Sequence, residues 1–342
     1  MRKLTKYDFG IRIDVGVKVG SGHFFRCFSL SQQLVKKGKK IIYFINNEKD
    51  FLQHTISLDL PYFVLKGNTE KEKIIYLKKH LDKIKTLIVD VPLENELYSK
   101  SFEGKCKTVI IDDIGNKKTF SEILFNGSIV NEYHNYQIMK KDTRIFLGPD
   151  YMVLRDEFFQ ERNKTKISTK SINEILLTFG GSDDINLTNK ILPFFAKKSI
   201  KVNVILGPSY QDVEKIQKKF QKFNNVNFHI NPEKISSLFL KQDLIISASG
   251  ITTYELACLG IPTIFIPTNN EQIPTSKEMS KQGFGINYGV WDNDFERLDL
   301  IFSKLNEYDI REKMSKIGKK IVDGKGAFRV TEQLIARNDA IL

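Results

Sequence analysis

Residues 244–263 read Leu244-Ile245-Ile246-Ser247-Ala248-Ser249-Gly250-Ile251-Thr252-Thr253-Tyr254-Glu255-Leu256-Ala257-Cys258-Leu259-Gly260-Ile261-Pro262-Thr263. An apolar run, expected as a strand over 244–247, gives way to small residues and then to a helical pattern that stops at Gly260. A strand feeding a helix through a tight turn is the repeating unit of a doubly wound α/β domain. The small side chains of Ser249 and Gly250 let a ligand approach the backbone, and the free N–H groups of the helix start favour a phosphate. Thr252 and Thr253 add hydroxyl donors. Glu255, one turn in, either accepts hydrogen bonds from a ribose diol or only complements the helix dipole. The pattern reads as nucleotide binding.

A second loop of this kind is Leu177-Thr178-Phe179-Gly180-Gly181-Ser182-Asp183-Asp184. Gly180, Gly181 and Ser182 present backbone donors suited to a diphosphate. Alone, such a turn says little; two in one half of the chain say more. Around them β-rich and helical segments alternate through two similar stretches. Strands are expected over 10–15, 40–45, 62–65, 86–90 and 108–112, then over 174–179, 201–206, 226–228, 244–247 and 263–266. Residues 1–160 are expected to form one Rossmann-like domain and residues 172–326 another. The polar stretch 161–171 between them reads as a linker. Residues 327–342 read as a closing helix that packs back on the first domain.

Composition agrees with a folded α/β protein. The chain has 342 residues, 41% hydrophobic and 27% charged, enough for two domains and no sign of disorder. Its formal net charge of +12 is spread over helices that mix lysine with acidic residues. No aromatic-and-basic module points to nucleic acid. No apolar run approaches the ~18 residues of a membrane span, and the basic start leads into a strand rather than a signal peptide. The three cysteines, Cys27, Cys106 and Cys258, form no CxxC pair, which argues against zinc or disulfides and for a reducing cytoplasm. Cys27 and Cys258 fall on apolar helix faces and read as small buried hydrophobes.

The candidate catalyst lies near the N-terminus, in Ile11-Arg12-Ile13-Asp14-Val15-Gly16-Val17-Lys18-Val19-Gly20-Ser21-Gly22-His23-Phe24-Phe25-Arg26. His23 stands where a strand ends and a helix begins, the place where open α/β sheets bind ligands. An imidazole titrates near pH ~6.5 and can take a proton from water or a hydroxyl at neutral pH. The other reading is a histidine that caps the helix. Gly20-Ser21-Gly22 lacks the third glycine of a dinucleotide fingerprint, and no P-loop or HExxH pattern is present. Asp112-Asp113 reads as a solvated turn after a strand, with ligand or cation contact as the alternative.

Taken in order, Arg12-Ile13-Asp14, Gly20-Ser21-Gly22-His23 with Arg26, the run Gly148-Pro149-Asp150-Tyr151-Met152-Val153-Leu154-Arg155-Asp156-Glu157-Phe158, and the Gly180 and Ser247 segments resemble a known family. It is the nucleotide-sugar hydrolases of pseudaminic acid biosynthesis, which act on UDP-2,4-diacetamido-2,4,6-trideoxy-β-L-altropyranose. The resemblance implies a GT-B architecture, two Rossmann-like domains facing a central cleft, and metal-independent release of UDP by water attack at the anomeric carbon. It makes His23 the general base. It assigns Gly181, Ser182, Gly250, Thr252 and Thr253 to the diphosphate, Glu255 to the ribose, and Gly180 and Ser249 to the substrate. Asp14, Gly20, Ser21, Gly22, Tyr151 and Arg155 are placed toward the substrate, as are Asn270, Glu271 and Gln272. The chain departs from the family pattern at Glu271, where an asparagine is usual unless Asn270 takes its place. A tyrosine usual shortly after the aspartate ending the fourth strand is also missing, since Asp90 is followed by Val91-Pro92.

The expectation is therefore a cytoplasmic UDP-sugar hydrolase with a small-molecule substrate, no cofactor, no metal, no nucleic-acid partner and no stable membrane insertion. The alternatives are a GT-B glycosyltransferase that uses the same base on an acceptor hydroxyl, and a non-catalytic nucleotide-sugar-binding protein.

Overall fold

A computed structural model of the chain describes residues 6–16, 22–49, 60–91, 95–164 and 170–336. Two compact units result, one formed by residues 1–155 with 325–342 and the other by residues 156–324. Gly20, Ser21 and Pro92 lie outside the described residues.

The first unit is built on β1 (Tyr7–Ile13), β2 (Ile41–Ile45), β3 (Tyr62–Val64), β4 (Ile84–Asp90) and β5 (Lys107–Asp112). After β5 come β6 (Lys117–Thr119), β7 (Ile123–Asn126), β8 (Tyr136–Ile138) and β9 (Arg144–Leu147). Seven of these strands form one parallel sheet in the order β3-β2-β1-β4-β5-β7-β9, while β6 pairs with β8 alone. Side chains alternate between two buried faces, as strand geometry requires. Phe9, Ile11 and Ile13 of β1 join one apolar cluster with Phe24, Cys27 and Leu30 of helix α1 (Gly22–Lys36). The opposite face carries Ile42, Phe44, Leu87 and Val89. Burying one such side chain contributes roughly 1.5–3 kcal/mol.

The second unit repeats the plan with β10 (Glu174–Thr178), β11 (Lys201–Leu206), β12 (Val226–Ile230), β13 (Leu244–Ser247), β14 (Thr263–Phe265) and β15 (Ile286–Asn287). Its order is β12-β11-β10-β13-β14-β15, again parallel. In both sheets the strand order reverses beside the first strand, between β1 and β4 and between β10 and β13. Those reversals are the crevices where doubly wound sheets bind ligands.

Two features differ from the sequence reading. β6, β7, β8, β9 and β15 fall where no strand was expected. Helical structure continues through Lys164, into the stretch read as a linker, with Glu161 paired to Lys164 and Lys234 at 2.8 Å each. The last described helix begins at Gly326 and packs on α1, with Ala327, Val330 and Leu334 in the same cluster as β1. A Cβ on Gly326 would sit 1.9 Å from the carbonyl oxygen of Met152. Gly326→Ala is expected to lower stability by ~1–3 kcal/mol through this clash, read as a reduced urea midpoint at unchanged m; an unshifted midpoint would show that this docking is not tight.

Candidate functional site

In the first unit, β1 and β4 pair with Ile13 opposite Asp90, so the carboxyl end of β4 lies beside the turn that leads into α1. His23 is in the first turn of α1, and its Nδ1 is 2.8 Å from Asp90 Oδ1. Nδ1 is thus engaged by a carboxylate on another strand rather than by backbone N–H groups of its own helix. His23 Nε2 has no partner among the described residues, and the side chain is 17% exposed while that of Asp90 is 0% exposed.

Arg26, one helical turn after His23, grips the same carboxylate. Its Nε donates to Asp90 Oδ2 at 2.6 Å and its Nη2 to Asp90 Oδ1 at 2.5 Å. Nη1 donates to Asp113 Oδ1 at 2.6 Å, and Nη2 also lies 2.9 Å from His23 Nδ1. Burial alone would push the Asp90 carboxyl up, but the charge of Arg26 and the hydrogen bonds from Arg26 and His23 reverse this and hold it well below the usual carboxylate range. The Cys27 thiol, 3.2 Å from Asp90 Oδ2, is pushed up by burial and by that carboxylate, so it stays protonated and unreactive.

A second polar cluster surrounds Arg12 on the other face of β1. Its side chain is fully buried, and its Nη2 reaches Asp14 Oδ1 at 2.7 Å and Glu70 Oε2 at 3.1 Å. Arg12 Nε donates to the Tyr98 hydroxyl at 2.7 Å, which donates to Glu70 at 2.7 Å. Asp14 therefore leaves the strand end with its carboxylate held from behind by a buried cation.

The other expected positions of this unit divide. Tyr151 packs on Phe125 and Phe146, with ring centroids 5.9 and 5.1 Å apart. The Arg155 guanidinium lies 5.0 Å from the Phe25 ring centre, and Ser29 Oγ donates to Leu154 O at 2.7 Å, which ties this segment to α1. Asp112 is not a solvated turn residue. It is buried and accepts from Asn95, Gly115 N, Lys117 and Tyr136. Asp113 is 38% exposed but is paired to Arg26. Among the described residues no group of three His, Cys, Asp or Glu side chains is placed to hold a metal ion.

In the second unit, the loop after β13 leads into the helix Thr252–Leu259. The hydroxyls of Ser249 and Thr253 are buried there without a hydrogen-bond partner. Glu255 is buried in the same helix at 4% exposure. Gln272 braces the loop: its Oε1 accepts from Ser249 N and Thr268 N, both at 3.0 Å, and from Thr268 Oγ1 at 3.1 Å. Asn270 and Glu271 are exposed.

The loop after β10 is shaped by Gly180, at φ +83°, and by Asp183, whose carboxylate accepts from Leu187 N at 2.8 Å and Thr188 N at 2.9 Å. A Cβ on Gly180 or Gly181 would meet no atom within 4 Å, and one on Gly250 only Gln272 Nε2 at 3.8 Å. Protein packing therefore does not require glycine at 181 or 250, neither of which has a positive φ.

Residues 175–325 match the glycosyltransferase family 28 C-terminal domain. The chain is 25% identical over 331 residues to the spore coat polysaccharide biosynthesis protein SpsG of Bacillus subtilis, an overlap of 94% of this chain and 96% of that protein. It is 28% identical over 271 residues to an uncharacterized protein of Methanocaldococcus jannaschii, covering 76% of this chain and 55% of that one. It is 26% identical over 297 residues to the pseudaminic acid cytidylyltransferase and UDP-2,4-diacetamido-2,4,6-trideoxy-beta-L-altropyranose hydrolase of Helicobacter pylori, covering 85% and 50%. The chain thus spans about half the length of these last two relatives. Among solved structures, Acinetobacter baumannii MurG superimposes with a TM-score of 0.70 at 12% identity, over 96% of this chain and 99% of that one. The calicheamicin glycosyltransferase CalG4 gives 0.71 at 10%, over 98% and 99%. The fold is GT-B, with two Rossmann-like domains.

Sequence reasoning placed His23 at a strand–helix junction but missed Asp90 and Asp113 as its surroundings. The available signal was the three-residue spacing of His23 and Arg26, which puts a cation beside the imidazole on one helix face. Asp90→Asn, which removes the charge from a buried network, is expected to cost about 3 kcal/mol at pH 7. Because the folded-state pKa of Asp90 is depressed, its contribution is complete above the unfolded value near ~3.9 and is lost as pH falls toward the folded value. The stability gap between the two proteins, measured by denaturation from pH 7 to about pH 2, should therefore hold down to about pH 4 and narrow below it; a gap that never narrows would exclude ionised Asp90 as the source.

Proposed function

We propose that this chain hydrolyses a UDP-linked sugar, releasing UDP, and that it does so in the synthesis of a pseudaminic-type acid from a diacetamido-trideoxy hexose. The observation that carries the reading is His23, whose Nδ1 is held by buried Asp90 while Nε2 keeps no partner among the described residues. A base needs an oriented ring with one nitrogen lone pair available near neutral pH. In the proposed step, Nε2 takes a proton from water as the water oxygen bonds to the anomeric carbon. The bond from that carbon to the diphosphate oxygen breaks, and UDP leaves with the electron pair. Backbone N–H groups at Gly180, Gly181 and Gly250, with the hydroxyls of Ser249, Thr252 and Thr253, would hold the growing charge of the diphosphate. Glu255 is assigned to the ribose, and Asp14, Tyr151 and Arg155 to the sugar. The relatives support the class of substrate: one is named for hydrolysis of a UDP-sugar and another for spore coat polysaccharide biosynthesis.

The second reading is transfer to an acceptor hydroxyl, favoured by the match of residues 175–325 to a glycosyltransferase domain. Incubation with a panel of UDP-sugars without acceptor separates the two. Release of both UDP and free sugar is expected; an absolute requirement for an acceptor would overturn hydrolysis. His23→Ala should lower kcat by ~10²–10⁴-fold and leave the Kd for UDP unchanged, so normal turnover in this variant would remove the base assignment.

Glycine at 250 gives a separate test of the diphosphate loop. Because an added Cβ has room there, Gly250→Ala should change stability by no more than ~0.5 kcal/mol. UDP affinity measured by calorimetry should nonetheless fall about tenfold, equivalent to ~1.4 kcal/mol. Unchanged affinity would place the phosphates elsewhere.

A further inference from the structure

We infer that Arg26, anchored by Asp113, is the positioning residue that fixes the tautomer of His23, an inference that rests on the reading of His23 as a base. Two groups compete for His23 Nδ1: Asp90 Oδ1 at 2.8 Å and Arg26 Nη2 at 2.9 Å. A guanidinium only donates, and an ionised carboxylate only accepts. If Nδ1 carried the lone pair, it would accept from Arg26 but would face the negative Asp90 oxygen with no proton between them. If Nδ1 carries the proton, it donates to Asp90 Oδ1, and the lone pair falls on Nε2.

Arg26 decides between these by what it does to Asp90. Its Nε and Nη2 form a two-pronged contact with Oδ2 and Oδ1, which fixes the plane of the carboxylate and keeps it ionised. The remaining acceptor capacity of Oδ1 is directed at the imidazole. Nη1 is held by Asp113 at 2.6 Å, which anchors the guanidinium in the orientation that makes the two-pronged contact with Asp90. Among the described residues the charged groups around the imidazole are thus Arg26 on α1, Asp90 on β4 and, through Arg26, Asp113 after β5. Lysine at position 26 would keep the charge but lose the planar fork.

The test uses full-length protein labelled with ¹⁵N-histidine. Two-bond ¹H–¹⁵N correlation spectra report which ring nitrogen carries the proton in each neutral histidine, and His23→Gln identifies the His23 signals. Wild type is expected to show His23 as the Nδ1–H tautomer; an Nε2–H ring would overturn the proposal whatever the enzyme does with substrate. In Arg26→Lys and Asp113→Asn the His23 ring should become a tautomer mixture. Turnover should fall in kcat by ~10–100-fold, the usual range for an outer-shell partner, with KM nearly constant and a displaced pH profile. Asp113→Asn loosens the anchor of Arg26 while leaving Asp90, Arg26 and His23 themselves unsubstituted, so it remains informative if Arg26→Lys fails to fold. An unchanged tautomer and pH profile in a folded variant would sink the role of Arg26. If no UDP-sugar is turned over, the spectra still decide the tautomer, and the two ideas fail separately.

Discussion

A carboxylate with no exposure at the end of a central strand has to be paired, because an isolated buried charge is too costly to keep. Asp90 meets that requirement with Arg26 and His23, both on one face of α1 at a spacing of three residues. Rotation of α1 by even part of a turn would strip Asp90 of both partners. The helix is also held by apolar packing of Phe24, Cys27, Leu30 and Leu34 in one cluster with β1 and the helix Gly326–Ile335. Packing sets where the helix lies, and the ion pair sets which way it faces. The histidine is a by-product of neither, since its orientation follows from both.

The second unit has the same topology and the opposite chemistry. At its strand-order reversal the loops carry glycines and small hydroxyls, and of the two aspartates after Gly180 and Gly181 one is buried and one exposed. The buried one, Asp183, is turned inward to the N–H groups of Leu187 and Thr188. On the proposed reading these loops would take the diphosphate with neutral backbone donors, without the cationic clamp that Asp90 requires.

The doubly wound plan was legible because most strands are apolar runs bounded by turns, and those over 201–206 and 244–247 have the limits the pattern suggests. β7 and β9 were not legible, since Ile123–Asn126 and Arg144–Leu147 are four residues each. The equally short run 244–247 is marked by the helical pattern that follows it, and neither of these two runs leads into one so directly. The site was readable in its local parts only. His23 and the glycine loops announce themselves by position after a strand, whereas Asp90 lies 67 residues from His23 and meets it through strand order. Asp112 and Asp113 look alike in sequence; the backbone sends one into a buried network and the other toward Arg26.

A base held in this way does not choose its oxygen. Water and an alcohol present the same O–H to an imidazole, so the His23 constellation serves hydrolysis and transfer alike. On the proposed reading, discrimination falls to the groups that meet the sugar, and there the chain has its own chemistry. Glu271 is exposed at the start of the helix Gln272–Lys281, and the resemblance puts an asparagine either there or at Asn270. An ionised carboxylate accepts and cannot donate, while an asparagine does both. A sugar facing Glu271 must offer a hydroxyl or an amide N–H; a carbonyl there would meet a like acceptor. Asn270 beside it keeps a donor within one residue, so the pair can still read an acetamido group, but with its two ends recognised by different side chains.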